Sequence, residues 1–247
     1  MPGGLLLWSV ALTVHIIGSS AFSSPICPRT TRPLGSLCNL NMVASKDKVL
    51  LWDVMSTLVY DPFFVDVPKF FGVTLKEIYE TKDPTIWLEF ERGACSEQEL
   101  LDNFFADRRQ FDSKSFLEVI NSKYEWLPGM ENLLEEVGTQ GYDMHTLSNY
   151  PVWWKNIEEK CKVSRYLEWT FVSCDMGIRK PDAAIYQTVE KRLGVSPEQC
   201  LLIDDSKTNV DGAKALGWDA ILFTDSEDCR LQLQERGILP AGPDSVG

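Results

Sequence analysis

The chain is poor in basic residues, and this scarcity excludes one class of partner. Lysine and arginine number 24 against 36 aspartates and glutamates, which gives a formal charge of −12 at pH 7. Proteins that bind nucleic acids displace counterions from phosphates with a basic stripe, and this sequence contains no such stripe. We therefore expect no nucleic-acid partner.

Long apolar runs and clustered cysteines are also missing. Residues 47–247 contain no apolar stretch long enough for a membrane helix, so we expect no stable membrane insertion after processing. The seven cysteines form no C-x-x-C pair and no cluster with a histidine, which argues against a zinc site or a disulfide framework. The remaining composition, 44% hydrophobic and 24% charged, is that of a globular protein.

Residues 1–46 contain no aspartate or glutamate. The apolar run Leu5–Ile17 ends in the small residues Gly18–Ala21, which is typical of a signal-peptidase site before Phe22. The Ser-, Thr- and Pro-rich segment that follows carries arginines and is typical of a transit peptide. We predict a bipartite targeting presequence, which resembles those of algae with complex plastids, and a location in the plastid stroma. A secretory signal followed by a flexible linker is the alternative.

Five short apolar segments alternate with helical patterns in the rest of the chain. The predicted strands are Val49–Asp53, Met144–Ser148, Trp169–Ser173, Cys200–Asp204 and Ala220–Phe223. Alternation of this kind predicts an α/β fold of three layers, in which a parallel sheet is covered by helices on both faces. The core domain is predicted to comprise residues 47–61 and 127–238, followed by a loose tail at 239–247.

Residues 62–126 interrupt this alternation. They contain no convincing strand, and they show helical patterns in Thr74–Glu80, Thr85–Arg92, Ser96–Ala106 and Ser113–Asn121. Ser96 and Glu99 have the spacing of a capping box. A helical insertion directly after the first strand predicts a small cap domain.

Polar residues follow the predicted strands at their carboxyl ends, where open parallel sheets bind ligands. These residues are Asp53, Ser148, Asn149, Asp204 and Asp205, with Arg179 to Asp182 between the third and fourth strands. A carboxylate nucleophile, phosphate binders, a lysine that neutralises charge and an acidic pair for Mg²⁺ together describe a phosphoryl-transfer site. Taken alone, the acidic pair is equally compatible with capping of the following helix.

The motifs resemble the haloacid dehalogenase (HAD) superfamily of phosphatases, with a helical cap inserted after the first strand. The resemblance rests on Pro128-Gly129-Met130, Leu147-Ser148-Asn149, residues 179–182 and residues 203–213. More narrowly, residues 52–55, 61–72, 87–91, 148–151 and 167–171 are similar to the chloroplast flavin mononucleotide (FMN) hydrolases of plants. The resemblance implies dephosphorylation of FMN to riboflavin, or of a similar small phosphate ester.

The resemblance also implies a role for each site residue. Asp53 attacks phosphorus and forms an aspartyl-phosphate, while Lys180 neutralises charge on the nucleophile and the phosphate. Ser148 and Asn149 hold the phosphate. Mg²⁺ is bound by Asp53, Asp205 and the backbone carbonyl of Met55, and Asp204 orients this set; these are the hard oxygen ligands that Mg²⁺ prefers.

One departure affects the chemistry that can be expected. Most phosphatases of the superfamily have a general-acid aspartate two residues after the nucleophile, where this chain has Met55, and Ser56 stands where the plant FMN hydrolases have an aspartate. A thioether cannot transfer protons. Asp61 and Asp66, at the entry to the cap, are candidate substitutes, although each is also compatible with a turn. A catalytically weak protein that binds phosphate and metal, or a metal-independent dehalogenase, remains an alternative.

Several other residues have two interpretations. Six aromatic residues are candidates to stack on a flavin ring, although aromatic residues at helical spacing usually belong to a hydrophobic core. They are Trp87, Phe90, Phe104, Phe105, Trp153 and Trp154. His145 lies inside the second predicted strand and is predicted to be a packed, neutral residue.

Overall fold

The computed structural model describes residues 47–241, and the predicted presequence and residues 242–247 lie outside this range. Its strands are β1 (Val49–Trp52), β2 (Asp143–Ser148), β3 (Glu168–Val172), β4 (Cys200–Asp204) and β5 (Asp219–Leu222). They form one parallel sheet with the order β3-β2-β1-β4-β5. Each predicted strand is confirmed to within one residue at either end.

Successive residues of the central strand β1 point to opposite faces of the sheet, as the pleat requires. Leu50 and Trp52 are buried in the core on one face, and Val49 and Leu51 are buried in the core on the other. Because both faces are covered, the inner strands are continuously apolar rather than alternating. The predicted three-layer α/β fold is confirmed.

Helices pack against this sheet and in the segment between β1 and β2. Those between β1 and β2 are α1 (Asp66–Phe71), α2 (Leu75–Thr81), α3 (Ile86–Glu91), α4 (Glu97–Asp102), α5 (Ser113–Lys123) and α6 (Met130–Gly138). Those that follow are α7 (Trp154–Cys161), α8 (Ser173–Met176), α9 (Ala183–Leu193), α10 (Lys207–Ala215) and α11 (Ser226–Glu235). None of the helices between residues 47 and 241 is long and apolar enough to cross a membrane.

The inserted segment differs from its prediction in two ways. Helix α1 is not among the predicted helices, because Pro68 breaks its sequence pattern although a proline is tolerated in a first turn. Helix α4 ends at Asp102 rather than continuing to Ala106. The capping box is present, since Ser96 Oγ accepts from the Glu99 amide at 3.2 Å and Glu99 Oε2 accepts from the Ser96 amide at 2.8 Å. The division into core and cap at residues 62 and 126 stays a prediction.

The first residue of the predicted loose tail is packed against the core, and the loose character of the tail stays a prediction. Leu239 is only 2% exposed and belongs to the hydrophobic core, and its amide donates to the Leu233 carbonyl at the end of α11. An apolar side chain that can reach the core remains packed there even next to a Pro-rich segment.

Candidate active site

The predicted site residues meet at the carboxyl edge of the sheet. Asp53 directly follows β1, Ser148 ends β2 and Asp204 ends β4. The Asp53 amide donates to the Ile203 carbonyl at 2.9 Å, which ties the loop after β1 to β4. A cavity of about 360 Å³, here called the phosphate cavity, opens at this edge. Its lining includes Asp53, Met55, Asp61, Asn149, Lys180 and Asp205.

Lys180 is a fully buried cation between two carboxylates. Its Nζ lies 2.9 Å from Asp53 Oδ1 and 2.5 Å from Asp204 Oδ2, and it also donates to the Leu147 carbonyl. Burial by itself disfavours the charged ammonium, but the carboxylates of Asp204 and Asp53 outweigh it and raise the pKa of Lys180. The lysine is therefore held as a cation against the predicted nucleophile.

Asn149 holds the backbone of that lysine. Its Nδ2 donates to the Lys180 carbonyl at 2.8 Å, and its Oδ1 accepts from the Lys180 amide at 2.8 Å. Both ends of the side-chain amide are therefore occupied, and the geometry favours a positioning role for this side chain. A phosphate contact from Asn149 itself stays a prediction.

Ser148 is fully buried, and its Oγ has no hydrogen-bond partner among the described residues. Buried hydroxyl groups nearly always have a partner, because an unmade hydrogen bond is costly. An anion bound at this edge of the sheet is a partner of the kind that the hydroxyl lacks.

The acidic pair after β4 divides into two functions. Asp204 is fully buried, and it accepts from the Ser206 amide at 2.8 Å and from Asn209 Nδ2 at 3.1 Å, in addition to Lys180. Asp205 faces the cavity and is anchored by its backbone amide, which donates to Thr57 Oγ1 at 3.2 Å. Since Asp204 is engaged by protein donors, the geometry favours its predicted orienting role.

Burial raises the pKa of Asp53 and of Asp205, the two carboxyl groups that have an oxygen available for a ligand. It raises the pKa of Asp53 to about 8, with Lys180 opposing and Asp204 adding to the rise. It raises the pKa of Asp205 to about 6, with a further contribution from the neighbouring Asp204 charge. A cation placed between these groups would relieve the cost of keeping both ionised.

The donor set fits Mg²⁺. Asp53, Asp204 and Asp205 each offer a carboxylate oxygen, and these oxygens lie within 4.8 Å of one another. Lys180 contacts one oxygen of Asp53, which leaves the other available, and Asp205 has no side-chain donor among the described residues. Carboxylate and carbonyl oxygens that leave room for water and phosphate are characteristic of protein-bound Mg²⁺.

The two candidate acids at the entry to the cap occupy different environments. Asp66 accepts from the Tyr60 hydroxyl at 2.9 Å and pairs with Lys123 at 3.2 Å, and it does not line the phosphate cavity. Asp61 lines that cavity together with Met55. Only Asp61 of these two candidate acids therefore lies where it could reach a bound phosphate ester, a difference that the sequence does not reveal.

A second cavity of about 360 Å³, here called the aromatic cavity, adjoins the first and shares several of its lining residues. Phe63, Phe64, Tyr79 and Trp87 line it, and the ring centroid of Phe63 lies 5.6 to 6.2 Å from those of the other three. At its rim, Arg179 Nε lies 2.8 Å from a carboxylate oxygen of Glu91 in α3.

Of the six predicted ring-stacking residues, Trp87 alone lines the aromatic cavity. Phe90, Phe104, Phe105 and Trp153 are buried in the core, and Trp154 packs on Trp169. Phe63, Phe64 and Tyr79 also line this cavity and were not among the predicted ligand-binding residues. The first two lie in the turn before α1, and only their proximity to the nucleophile motif could have indicated them. His145 is buried, as expected, with Nδ1 2.7 Å from Thr170 Oγ1.

This site has a nucleophile paired with a lysine, and an acidic pair, at the carboxyl edge of a parallel sheet. These features define a class of hydrolases that act on phosphate esters, and sequence comparison places the chain in the same class. The model of the haloacid dehalogenase-like hydrolases matches residues 74–217. The chain belongs to this family, and it is an enzyme of its phosphatase type.

Particular relatives refine this assignment. The chain is 44% identical over 190 residues to flavin mononucleotide hydrolase 1 of the Arabidopsis thaliana chloroplast, which covers 77% of this chain and 78% of the relative. It is 31% identical to a probable phosphoglycolate phosphatase of Pseudomonas putida, over 39% of each chain. A magnesium complex of a HAD family enzyme from Bacteroides thetaiotaomicron superposes with a TM-score of 0.64 at 25% identity, covering 76% of this chain and 98% of the other.

Proposed function

We propose that this protein is a Mg²⁺-dependent phosphomonoesterase that converts FMN to riboflavin and inorganic phosphate through an aspartyl-phosphate on Asp53. The observation that carries the proposal is the contact between Lys180 and the buried carboxylate of Asp53. Asp53, Lys180 and Asp205 line the same cavity, which suits a phosphate, and the buried Ser148 ends the neighbouring strand β2.

The residues divide the chemistry as follows. Asp53 uses its available oxygen to attack phosphorus, and Lys180 favours the ionised form of that carboxyl group against the effect of burial and offsets the charge of the incoming phosphate. Ser148 Oγ supplies a hydrogen-bond donor for a phosphate oxygen. Bound by Asp53, Asp205 and the Met55 carbonyl, Mg²⁺ would neutralise phosphate charge and align the ester.

The aromatic cavity supports a flavin as the organic part of the substrate. Its rings provide stacking surface beside the phosphate cavity, and Tyr79 and Phe64 are 53% and 47% exposed. Large exposed aromatic residues around a concave site are typical of a ligand surface. The similarity to an FMN hydrolase points to the same substrate.

We propose a plastid location for this activity. The acid-free composition of residues 1–46 supports it, and so does the chloroplast location in the name of the Arabidopsis relative. The presequence lies outside the described residues, so the proposal depends on sequence alone.

The replacement of the usual acid by Met55 favours a second candidate, a protein that binds phosphate and metal with little turnover. The dehalogenase alternative has less support, because a metal-independent enzyme has no need of the acidic pair Asp204 and Asp205 beside the nucleophile. These alternatives differ in their response to magnesium.

The processed protein should be incubated with FMN over a magnesium titration, with riboflavin measured by chromatography and phosphate by colorimetry. We expect magnesium-dependent release of both products in equal amounts, and none from Asp53→Asn, because an amide cannot form the acyl-phosphate.

Tyr79→Ala should raise the KM for FMN about 2- to 10-fold, because a stacking contact is lost, and should leave the KM for a small alkyl phosphate unchanged. Tyr166→Ala, outside both cavities, is the matched control. Intact FMN, with hydrolysis of other esters, would refute the substrate proposal alone.

A further inference from the structure

The leaving group of an alkyl phosphate needs a proton. The residues two and three positions after the nucleophile, Met55 and Ser56, do not supply it well. Met55 has no transferable proton, and the Ser56 hydroxyl is too weak an acid to protonate a leaving oxygen near neutral pH. FMN is an alkyl ester of this kind, because its phosphate is attached to the terminal carbon of the ribityl chain. A proton donor has to come from elsewhere in the two cavities.

The position of that donor follows from how the two cavities meet. An ester with its phosphate in the phosphate cavity and its organic part in the aromatic cavity has its bridging oxygen at their junction. Asp53 and Asp205 line only the phosphate cavity, and Glu91 lines only the aromatic cavity. Asp61 is the one carboxylic acid among the described residues that lines both.

The hydrogen bonds of Asp61 leave it available for this task. Its Oδ1 accepts from the Phe63 amide at 2.9 Å, which fixes the carboxyl group at the turn before α1. Its Oδ2 has no hydrogen-bond partner between residues 47 and 241. Glu91, by contrast, is paired with Arg179 at 2.8 Å and accepts from Trp87 Nε1 at 2.6 Å.

We propose that Asp61 is the general acid and base of this phosphatase, in place of the aspartate that Met55 replaces. The role rests on the proposed phosphomonoesterase function. When Asp53 attacks phosphorus, the bond from phosphorus to the ester oxygen breaks, and that oxygen takes its electron pair and the Asp61 proton to leave as an alcohol. Water then attacks the aspartyl-phosphate and gives a proton to the Asp61 carboxylate. The bond from phosphorus to Asp53 breaks, which releases phosphate and restores both aspartates.

Burial supports this role, because it raises the pKa of Asp61 to about 6, with the Phe63 amide opposing. A carboxyl group with a pKa near the working pH can both give and accept a proton. Titratable and charged groups face it from the surrounding elements. They are Tyr60, Tyr79, Glu91, Tyr124, Tyr150 and Asp205, with Lys82, Arg179 and Lys180 in the cavity linings.

The test compares two leaving groups in a rapid-quench measurement of the first turnover. FMN and glycerol 3-phosphate have alkyl leaving groups that need a proton, whereas 4-nitrophenyl phosphate has a leaving group that needs little. Asp61→Asn should lower the alkyl phosphorylation rate about 10²- to 10⁴-fold and the aryl rate far less. With the aryl ester, the variant should release one equivalent of nitrophenol rapidly and then accumulate phosphoenzyme, because water is no longer activated. Asp66→Asn is the matched control and should show neither effect.

A measurement on the parent protein covers the case in which the variant fails to fold. The ratio of alkyl to aryl phosphorylation rates should fall as pH rises through about 6, because Asp61 loses its proton there. Titration of Asp53 and Asp205 affects both esters and cancels in the ratio.

The outcomes separate this inference from the proposed function. An equal loss of the alkyl and aryl rates in Asp61→Asn, unchanged rates, or the same selectivity in Asp66→Asn would overturn the role of Asp61. Glycerol 3-phosphate turnover with the expected selectivity, but without FMN turnover, would leave Asp61 as the acid and refute the substrate. Failure of the parent to form phosphoenzyme from any ester would overturn both.

Discussion

Lys180 offers the most demanding test of the site, because it is a fully buried cation whose removal isolates two buried carboxylates. Lys180→Met replaces the side chain by an uncharged one of similar length. Asp53 and Asp204, at 2.9 and 2.5 Å from Nζ, then lose their common counter-charge. The variant should fold less stably in a way that depends on pH.

The size of the effect follows from two opposing contributions. Each ion-pair contact is worth roughly 6 kcal/mol in gross attraction at an effective dielectric constant of about 20. Burying the ammonium costs several kcal/mol, so loss of one partner of a buried pair typically destabilises by about 3 to 5 kcal/mol. Because domains of this kind have unfolding free energies of about 5 to 15 kcal/mol, the variant should remain folded in buffer with a sharply reduced margin.

The sign of the pH dependence is set by the aspartates. Burial already raises the pKa of Asp53 to about 8, and loss of Lys180, which opposes that rise, moves it further upward. A carboxyl group whose folded pKa is raised stabilises the folded state most at low pH, and this contribution is lost as pH rises from about 4 through the folded value. Below about pH 8 the parent and the variant lose this contribution in parallel, and above it only the variant continues to lose it. The stability deficit of Lys180→Met should therefore be smaller at pH 7 than at pH 9.5.

The assay is urea unfolding followed by tryptophan fluorescence, in the presence of a chelator, at both pH values. Lys207→Met is the matched control, because Lys207 is 74% exposed and, within residues 47–241, pairs only with Asp211 on the same helix. The double variant Lys180→Met with Asp204→Asn should recover part of the loss, since it removes one uncompensated charge. A deficit below about 1 kcal/mol at both pH values, well short of the cost of breaking a buried pair, would refute the reasoning.

Three further predictions concern the metal, the cap and the presequence. Asp205→Asn should weaken Mg²⁺ binding in a calorimetric titration, and an unchanged affinity would exclude it as a ligand. Gly93→Ala should destabilise the fold by more than the roughly 1 to 2 kcal/mol of left-handed strain, because a Cβ there would lie 2.4 Å from the Cys174 carbonyl oxygen. Gly72→Ala, with φ of +67° and no neighbour within 4 Å, should show the strain alone in the same thermal unfolding assay. A fluorescent fusion of the full chain should enter the plastid, and Phe22→Ala should divert it to an earlier secretory compartment; a secreted parent protein would contradict this.

The alternation of apolar segments was enough to predict the sheet, because a strand buried on both faces is continuously apolar over a short length. Val49–Trp52 and Cys200–Asp204 show this directly. Helix α1 escaped prediction, since Pro68 breaks its sequence pattern and only the structure shows that Val67 and Pro68 are buried. Helices α7, α8 and α11 were likewise not predicted.

The sequence by itself determined the chemical groups at the strand ends, because parallel strands deliver their last residues to one edge. Asp53 and Asp204 are therefore together in the structure as their motifs predict, and Lys180, from the loop between α8 and α9, contacts both. The separate role of each residue could be assigned only from the tertiary structure. Only hydrogen-bond geometry assigns the Asn149 amide to the Lys180 backbone, and only the meeting of two cavities distinguishes Asp61 from Asp66. A residue's role in proton transfer depends on where its oxygen lies relative to chain segments distant in sequence, and that relation exists only after folding.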